Sequence, residues 1–128
     1  MDKSQMRFVN PLPFVKAIGR SKHFYSEVLG LRVLEDHGNF IRYEDGFALH
    51  DGLSLHRTIF GKEPEGRAPF GRRNCVLYFE AEDLDAAFAR IKEQVDLIHA
   101  IETQSWGQRV FRFYDPDQHI IEVGEPMP

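Results

Sequence analysis

The feature that most constrains the fold of this chain is an internal repeat, in which each half runs strand, helix, strand, strand, strand. In the first half, Phe8 to Val15 reads as a strand interrupted by Pro11 and Pro13. That places it at a sheet edge or bulge, because proline cannot donate to a ladder. Ser21 to Leu29 reads as a helix, capped by Ser21, with apolar Phe24, Val28 and Leu29 and a terminating Gly30. Leu31 to Glu35, Phe40 to Tyr43 and Phe47 to His50 are three short strand candidates, and Asp45-Gly46 is a hairpin signal between the last two. In the second half, Val76 to Ala81 is a strand, and Asp83 caps a helix reaching about Val95. Leu97 to Ile101, Arg109 to Tyr114 and His119 to Val123 complete the set, with the turn Asp115-Pro116-Asp117-Gln118 joining the last two.

The halves can be laid over each other. Val15 to Ile18 matches Ala81 to Leu84 at an offset of 66, and Asp45 to His50 matches Asp117 to Glu122 at an offset of 72. The six extra residues predict a longer loop in the second half, around Glu102 to Gly107. Between the halves, Lys62 to Asn74 is rich in Gly, Pro and Arg, with only Ala68 and Phe70 apolar, and reads as a mobile linker. The expected organisation is one domain over 1–128, with module one at about 6–61, the linker at about 62–74 and module two at about 75–125. The fold class is α+β.

Composition narrows the partners. Sixteen Lys plus Arg against twenty Asp plus Glu give a formal charge of −4, opposite to the basic balance that phosphate-backbone binding needs, so no nucleic-acid partner is expected. No apolar run approaches the ~18 residues of a membrane span, and none near the N-terminus has signal-peptide length. A single cysteine, Cys75, allows no intramolecular disulfide and reads as a small buried hydrophobe. A cytoplasmic location and no membrane partner are the expectations.

Several strings carry a resemblance. Ser21-Lys22-His23-Phe24-Tyr25 is followed by Val28-Leu29-Gly30-Leu31. Then come Phe79-Glu80-Ala81-Glu82-Asp83-Leu84-Asp85 and Phe113-Tyr114-Asp115-Pro116-Asp117, which runs into Ile121-Glu122. In this order and spacing the chain resembles the vicinal oxygen chelate superfamily, which holds glyoxalase I, bleomycin-resistance proteins and extradiol dioxygenases. The resemblance implies two βαβββ modules wrapped into a cup-shaped, partly open sheet, with a site inside the cup and a homodimer that often completes it. In metal-dependent members the ligands come from the first and last strands of each module. The matched positions here are Asn10, His50, Val76 and Glu122, of which His50 and Glu122 are strong metal ligands and Val76 can coordinate nothing.

The candidate residues keep two readings each. His50 is a pocket-lining structural histidine, or a metal ligand or general base. Glu122, between Ile121 and Val123, needs a metal or a cation, and Arg112 is the cation that strand parity offers. The face carrying Val110, Arg112 and Tyr114 points to the cup or to solvent. In the cup, Tyr43, Tyr114, Arg112, His50 and Glu122 would converge in an aromatic-lined cavity. Trp106 is a lid over a small core or a stacking platform for a ligand. Arg67, Arg72 and Arg73 are a solvated loop or an attraction for anions.

Three functions follow from the resemblance. The first is a protein that binds a small molecule in the cup without the full family metal site, using Asn10, Tyr43, His50, Trp106, Arg112, Tyr114 and Glu122. The second is a lyase or isomerase of glyoxalase type that depends on a divalent metal such as nickel, zinc, manganese or iron, with His50 and Glu122 as ligands and catalytic groups. Dioxygenase chemistry fits less well, since two histidines of its ligand set are missing at the matched positions. The third is a structural or regulatory dimer with a vestigial site.

Overall fold

The structure, a computed structural model, describes residues 2–127. Its strands form two four-stranded mixed sheets with the same internal order. Module one contains β1 (Phe14–Val15), β2 (Val33–Asp36), β3 (Phe40–Tyr43) and β4 (Ala48–Asp51), ordered β1-β4-β3-β2. Module two contains β5 (Val76–Glu80), β6 (Asp96–Thr103), β7 (Arg109–Tyr114) and β8 (Ile120–Gly124), ordered β5-β8-β7-β6. In both sheets the first strand runs parallel to the last and the other neighbours are antiparallel. The sheets do not close into a barrel, and the result is the cup of two βαβββ modules that the resemblance implies.

Local chemistry explains the elements. β1 is cut to two residues and confined to a sheet edge because Pro11 and Pro13 upstream cannot donate to a ladder. At the β3–β4 hairpin, Asp45 and Gly46 both take positive φ, of 64° and 77°. Asp83 caps α3 (Leu84–Ile91), its carboxylate accepting from Ala86 N at 3.0 Å. β6 is four residues longer than β2, and the turn after it, 104–108, is two longer than 37–39. The extra length of the second half is therefore spread over strands as well as a turn.

The structure departs from the sequence reading in four places. The first helix, α1 (Ile18–His23), begins before Ser21 and continues through a π-helical turn at Phe24–Val28. Ser21 therefore lies inside the helix, fully buried, with its hydroxyl on Asp117 at 3.3 Å. Gly52–Phe60, which periodicity left unassigned, forms α2, with Asp51 accepting from Leu53 N at its start. Within the expected linker, Gly71 N donates to Asp117 O at 2.9 Å and the Phe70 ring meets Phe14 edge-on at 5.6 Å, so this end of the segment is packed. Cys75 is exposed, because it lies in the turn leading into β5 and not on its buried face.

One core serves both modules. Ile41, Tyr43 and Leu49 from sheet one, and Phe111, Phe113, Ile121 and Val123 from sheet two, pack with the helical residues Phe24, Val28, Leu84 and Ile91. Aromatic rings cross the divide, with Phe24 to Phe113 at 6.2 Å and Phe47 to Phe79 at 5.9 Å. The β7–β8 turn locks into module one. Asp115, buried, accepts from Tyr25 Oη at 2.6 Å, and buried Asp117 accepts from Lys16 N at 3.0 Å. Every one of these contacts satisfies a carboxylate that would otherwise be costly to bury.

Candidate functional site

Because side chains alternate along a strand, the residues between the core positions point to the opposite, concave face. On β7 these include Arg112 and Tyr114, and on β8 Ile120 and Glu122. The ladder sets Arg112 directly beside Glu122, and Tyr78 of β5 on the other side of Glu122. Arg112 Nε donates to Glu122 Oε1 at 2.7 Å, with the side chains 23% and 13% exposed. Both terminal nitrogens of the guanidinium are engaged as well, with Nη1 on His99 Nε2 at 3.0 Å and Nη2 on Gln104 Oε1 at 3.0 Å. A guanidinium has no lone pair, so His99 must accept through Nε2, and its Nδ1 then donates to Ala100 O at 2.7 Å.

A second network continues along this edge. Gln108 Nε2 donates to Tyr78 Oη at 2.8 Å, and the Tyr78 hydroxyl donates to Glu80 at 2.6 Å. Desolvation first, and then the bond to Glu80, raise the Tyr78 hydroxyl above its ordinary range. Val76 and Tyr78 are each 46% exposed on this strand.

His50 occupies the matching place in module one. It pairs with Phe40 on β3 and with Phe14 on β1, as Glu122 pairs with Arg112 and Tyr78. Its Nδ1 donates to Asp51 O at 3.0 Å, which leaves Nε2 with a lone pair and a half-buried position. Its ladder partners, Phe14 and Phe40, supply no donor atom beside it.

The ladders also relocate two expected site residues. Phe14 against His50 and Tyr78 against Glu122 set the first strands 64 residues apart, not 66. Asn10 is then four residues upstream of His50's partner, up to about 13 Å along an extended chain, and its amide bonds to Pro11 O. The later strands superpose at 72, so the counterpart of Tyr114 is Arg42 and not Tyr43. Tyr43 stands on the core face, fully buried, with its ring against Phe47 at 5.6 Å. Burial raises its hydroxyl pKa. Trp106 is 55% exposed at the β6–β7 turn, its indole donating to Gln108 Oε1 at 2.9 Å, beside a small cleft shared with Glu125 and Met127.

Sequence reasoning missed His99, Gln104, Gln108 and Tyr78. Gln104 and Gln108 sit at a turn, and His99 lies between two irregularities of the β6–β7 register. Only the alternation of Val76 and Tyr78 on β5 was a signal that could have found any of the four.

The residues present do not fit the family's metal. Among the described residues, no group of three or more His, Cys, Asp or Glu side chains is placed to hold an ion. Glu122 is neutralised by a guanidinium in contact, and a dication taking that carboxylate would have to displace Arg112 or lie against its charge.

The chain matches the glyoxalase-like domain family over residues 8–128. It is 58% identical to a protein of unknown function from Agrobacterium tumefaciens str. C58, whose crystal structure superposes with a TM-score of 0.91 over 96% of each chain. It is 27% identical over 112 residues to the protein YraH of Bacillus subtilis (strain 168), spanning 81% of this chain and 86% of that one. At 20% identity it shares the fold of a lactoylglutathione lyase from Agrobacterium tumefaciens, with a TM-score of 0.70 and 94% of each chain covered. The repeat, the cup and these matches together make the chain a member of the glyoxalase-like domain family, within the glyoxalase/bleomycin-resistance/dioxygenase superfamily.

Proposed function

We propose that this protein binds a small, planar organic molecule in its cup without using a resident metal ion. The observation that carries the reading is the Arg112–Glu122 pair, whose guanidinium also bonds His99 and Gln104. A carboxylate so engaged is a poor metal ligand but a fixed polar landmark. Beside it, Tyr114 and exposed Tyr78 supply aromatic surface, and small-molecule sites combine such surface with a few oriented polar groups. His50 adds a lone pair at Nε2 on the module-one face, and His50 and Glu122 are the groups able to take or give a proton if a bound molecule reacts. Asn10 and Trp106 contribute only if a second copy brings them to the cup.

A homodimer belongs to the same reading. It is supported by the large apolar side chains left in solvent, including Met6, Phe8, Val76 and Phe60. Among the described residues no helix is long and apolar enough to cross a membrane.

The test is a screen of planar compounds by thermal shift, followed by amide-resolved NMR titration of each hit. Binding at micromolar concentration, with the amides of Arg112, Tyr114 and Glu122 moving and unchanged by chelator, supports the reading. Hits that vanish with chelator and return with one divalent ion per chain would replace it by the metal-dependent one.

A further inference from the structure

A second cleft, of about 340 Å³, lies where the linker end passes between the modules. Its walls are apolar, formed by Pro13, Phe14, Phe70 and Leu77, and Arg72 and Arg73 stand on its border. Neither His50, Arg112 nor Glu122 lines it. Six of the chain's eleven arginines are neutralised. Arg20, Arg32, Arg42, Arg57, Arg109 and Arg112 each have a carboxylate partner. Arg72 and Arg73, like Arg7, Arg67 and Arg90, have none among the described residues, although the chain as a whole carries a charge of −4. Two adjacent unpaired cations beside an apolar cleft invert the local charge.

The segment that carries them is held in place. Gly71 N is bonded to Asp117 O, and a Cβ at Gly71 would lie 2.1 Å from Gln118 O, so backbone meets backbone there. Phe70 is packed on Phe14. Arg73 takes a left-handed φ of 60°, a conformation that costs a non-glycine residue energy and persists where neighbours impose it. The guanidinium forks are therefore carried on a pre-shaped loop, which lowers the ordering cost of binding.

We propose that this cleft is a binding site for an amphipathic organic anion. Its apolar body fills the space between Phe14, Phe70 and Leu77, and its carboxylate is met by Arg72 and Arg73. Guanidinium groups match a carboxylate in geometry and charge, and the apolar walls select against small hydrophilic anions. The site is independent of the one proposed for the cup.

The experiment is a ¹⁵N-resolved NMR titration of the full chain with 2-naphthoate, octanoate and the uncharged 2-naphthalenemethanol. The expected result is that at least one carboxylate moves the amides of Phe14, Gly71, Asn74 and Cys75, while the alcohol binds at least tenfold more weakly. Arg72→Gln/Arg73→Gln should lower carboxylate affinity at least tenfold, leave the alcohol unaffected and keep the melting temperature, since both side chains are exposed. Each single variant should carry part of the loss. The proposal is overturned if neither carboxylate binds at millimolar concentration, if the alcohol binds equally, if the double variant binds like the parent, or if the shifts fall at Arg112 and Glu122. A shift at those last residues would instead report on the cup, so the two readings fail separately.

Discussion

Replacing Arg112 by Met keeps most of the side chain's apolar stem and removes its charge. Glu122, 13% exposed, is then left without its cation, and His99 Nε2 and Gln104 Oε1 each lose a donor. Removing one partner of a fully buried pair costs about 3–5 kcal/mol, whereas an exposed pair is worth about 0–1 kcal/mol. With Arg112 at 23% exposure the expected loss lies between these, at about 2–3 kcal/mol. Glu122→Met should cost less, about 1–2 kcal/mol, because the guanidinium keeps His99 and Gln104. The double variant should return to within about 1 kcal/mol of the parent, since neither charge is then stranded. Urea unfolding of the four proteins gives the cycle. For m of roughly 1–3 kcal/mol/M, Arg112→Met should lower the midpoint by about 0.7–3 M. A coupling energy below about 0.5 kcal/mol, the size of a surface pair, would refute the claim that the pair is a built feature of the cup.

Other outcomes follow from single contacts. Gly71→Ala places a methyl group 2.1 Å from Gln118 O, and calorimetric melting should show a loss above about 2 kcal/mol; an unchanged melting temperature would mean the loop is free to move. Desolvation, the largest cause, raises the Asp117 carboxyl above its ordinary value, so the folded state holds that proton at higher pH than the unfolded state. The stability advantage of the parent over Asp117→Asn should therefore shrink as pH rises from the ordinary carboxylate range through the raised value, and an advantage that grows with pH would contradict it. Long-range ¹H–¹⁵N spectra should find neutral His99 protonated at Nδ1, as its bonds to Ala100 O and Arg112 require; the Nε2–H tautomer would break the network.

Elements whose signals are local were legible in the sequence. Asp83 caps its helix, Asp45-Gly46 makes its turn, and β7 spans Arg109–Tyr114 as alternation and flanking turns indicate. The parity argument also put Arg112 and Glu122 on one face, where they pair. What depends on distant partners was not legible. Ser21 looks like a cap, yet Asp117, ninety-six residues away, makes it an interior helix residue. Tyr43 reads as a cup residue beside Tyr114, yet the ladders set Arg42 at that place, and on a strand a single step turns a side chain to the other face. α2 carries Gly52, Thr58 and Ile59, which are weak helix formers, so tertiary packing decides it. The linker end reads as mobile because Gly and Arg dominate it, while its anchoring comes from Phe14 and Asp117, in the first strand's region and the last turn.

The central claim is that the cup works without a resident metal, because Arg112 already holds the carboxylate that a metal would need. Calorimetric titration of chelator-stripped protein with Ni²⁺, Zn²⁺ and Mn²⁺ tests it most directly. The account predicts no stoichiometric binding at micromolar concentration and the same small-molecule affinity before and after stripping. Tight binding near one ion per chain, lost in both His50→Ala and Glu122→Gln, would contradict it and make a metal-dependent lyase or isomerase the better description.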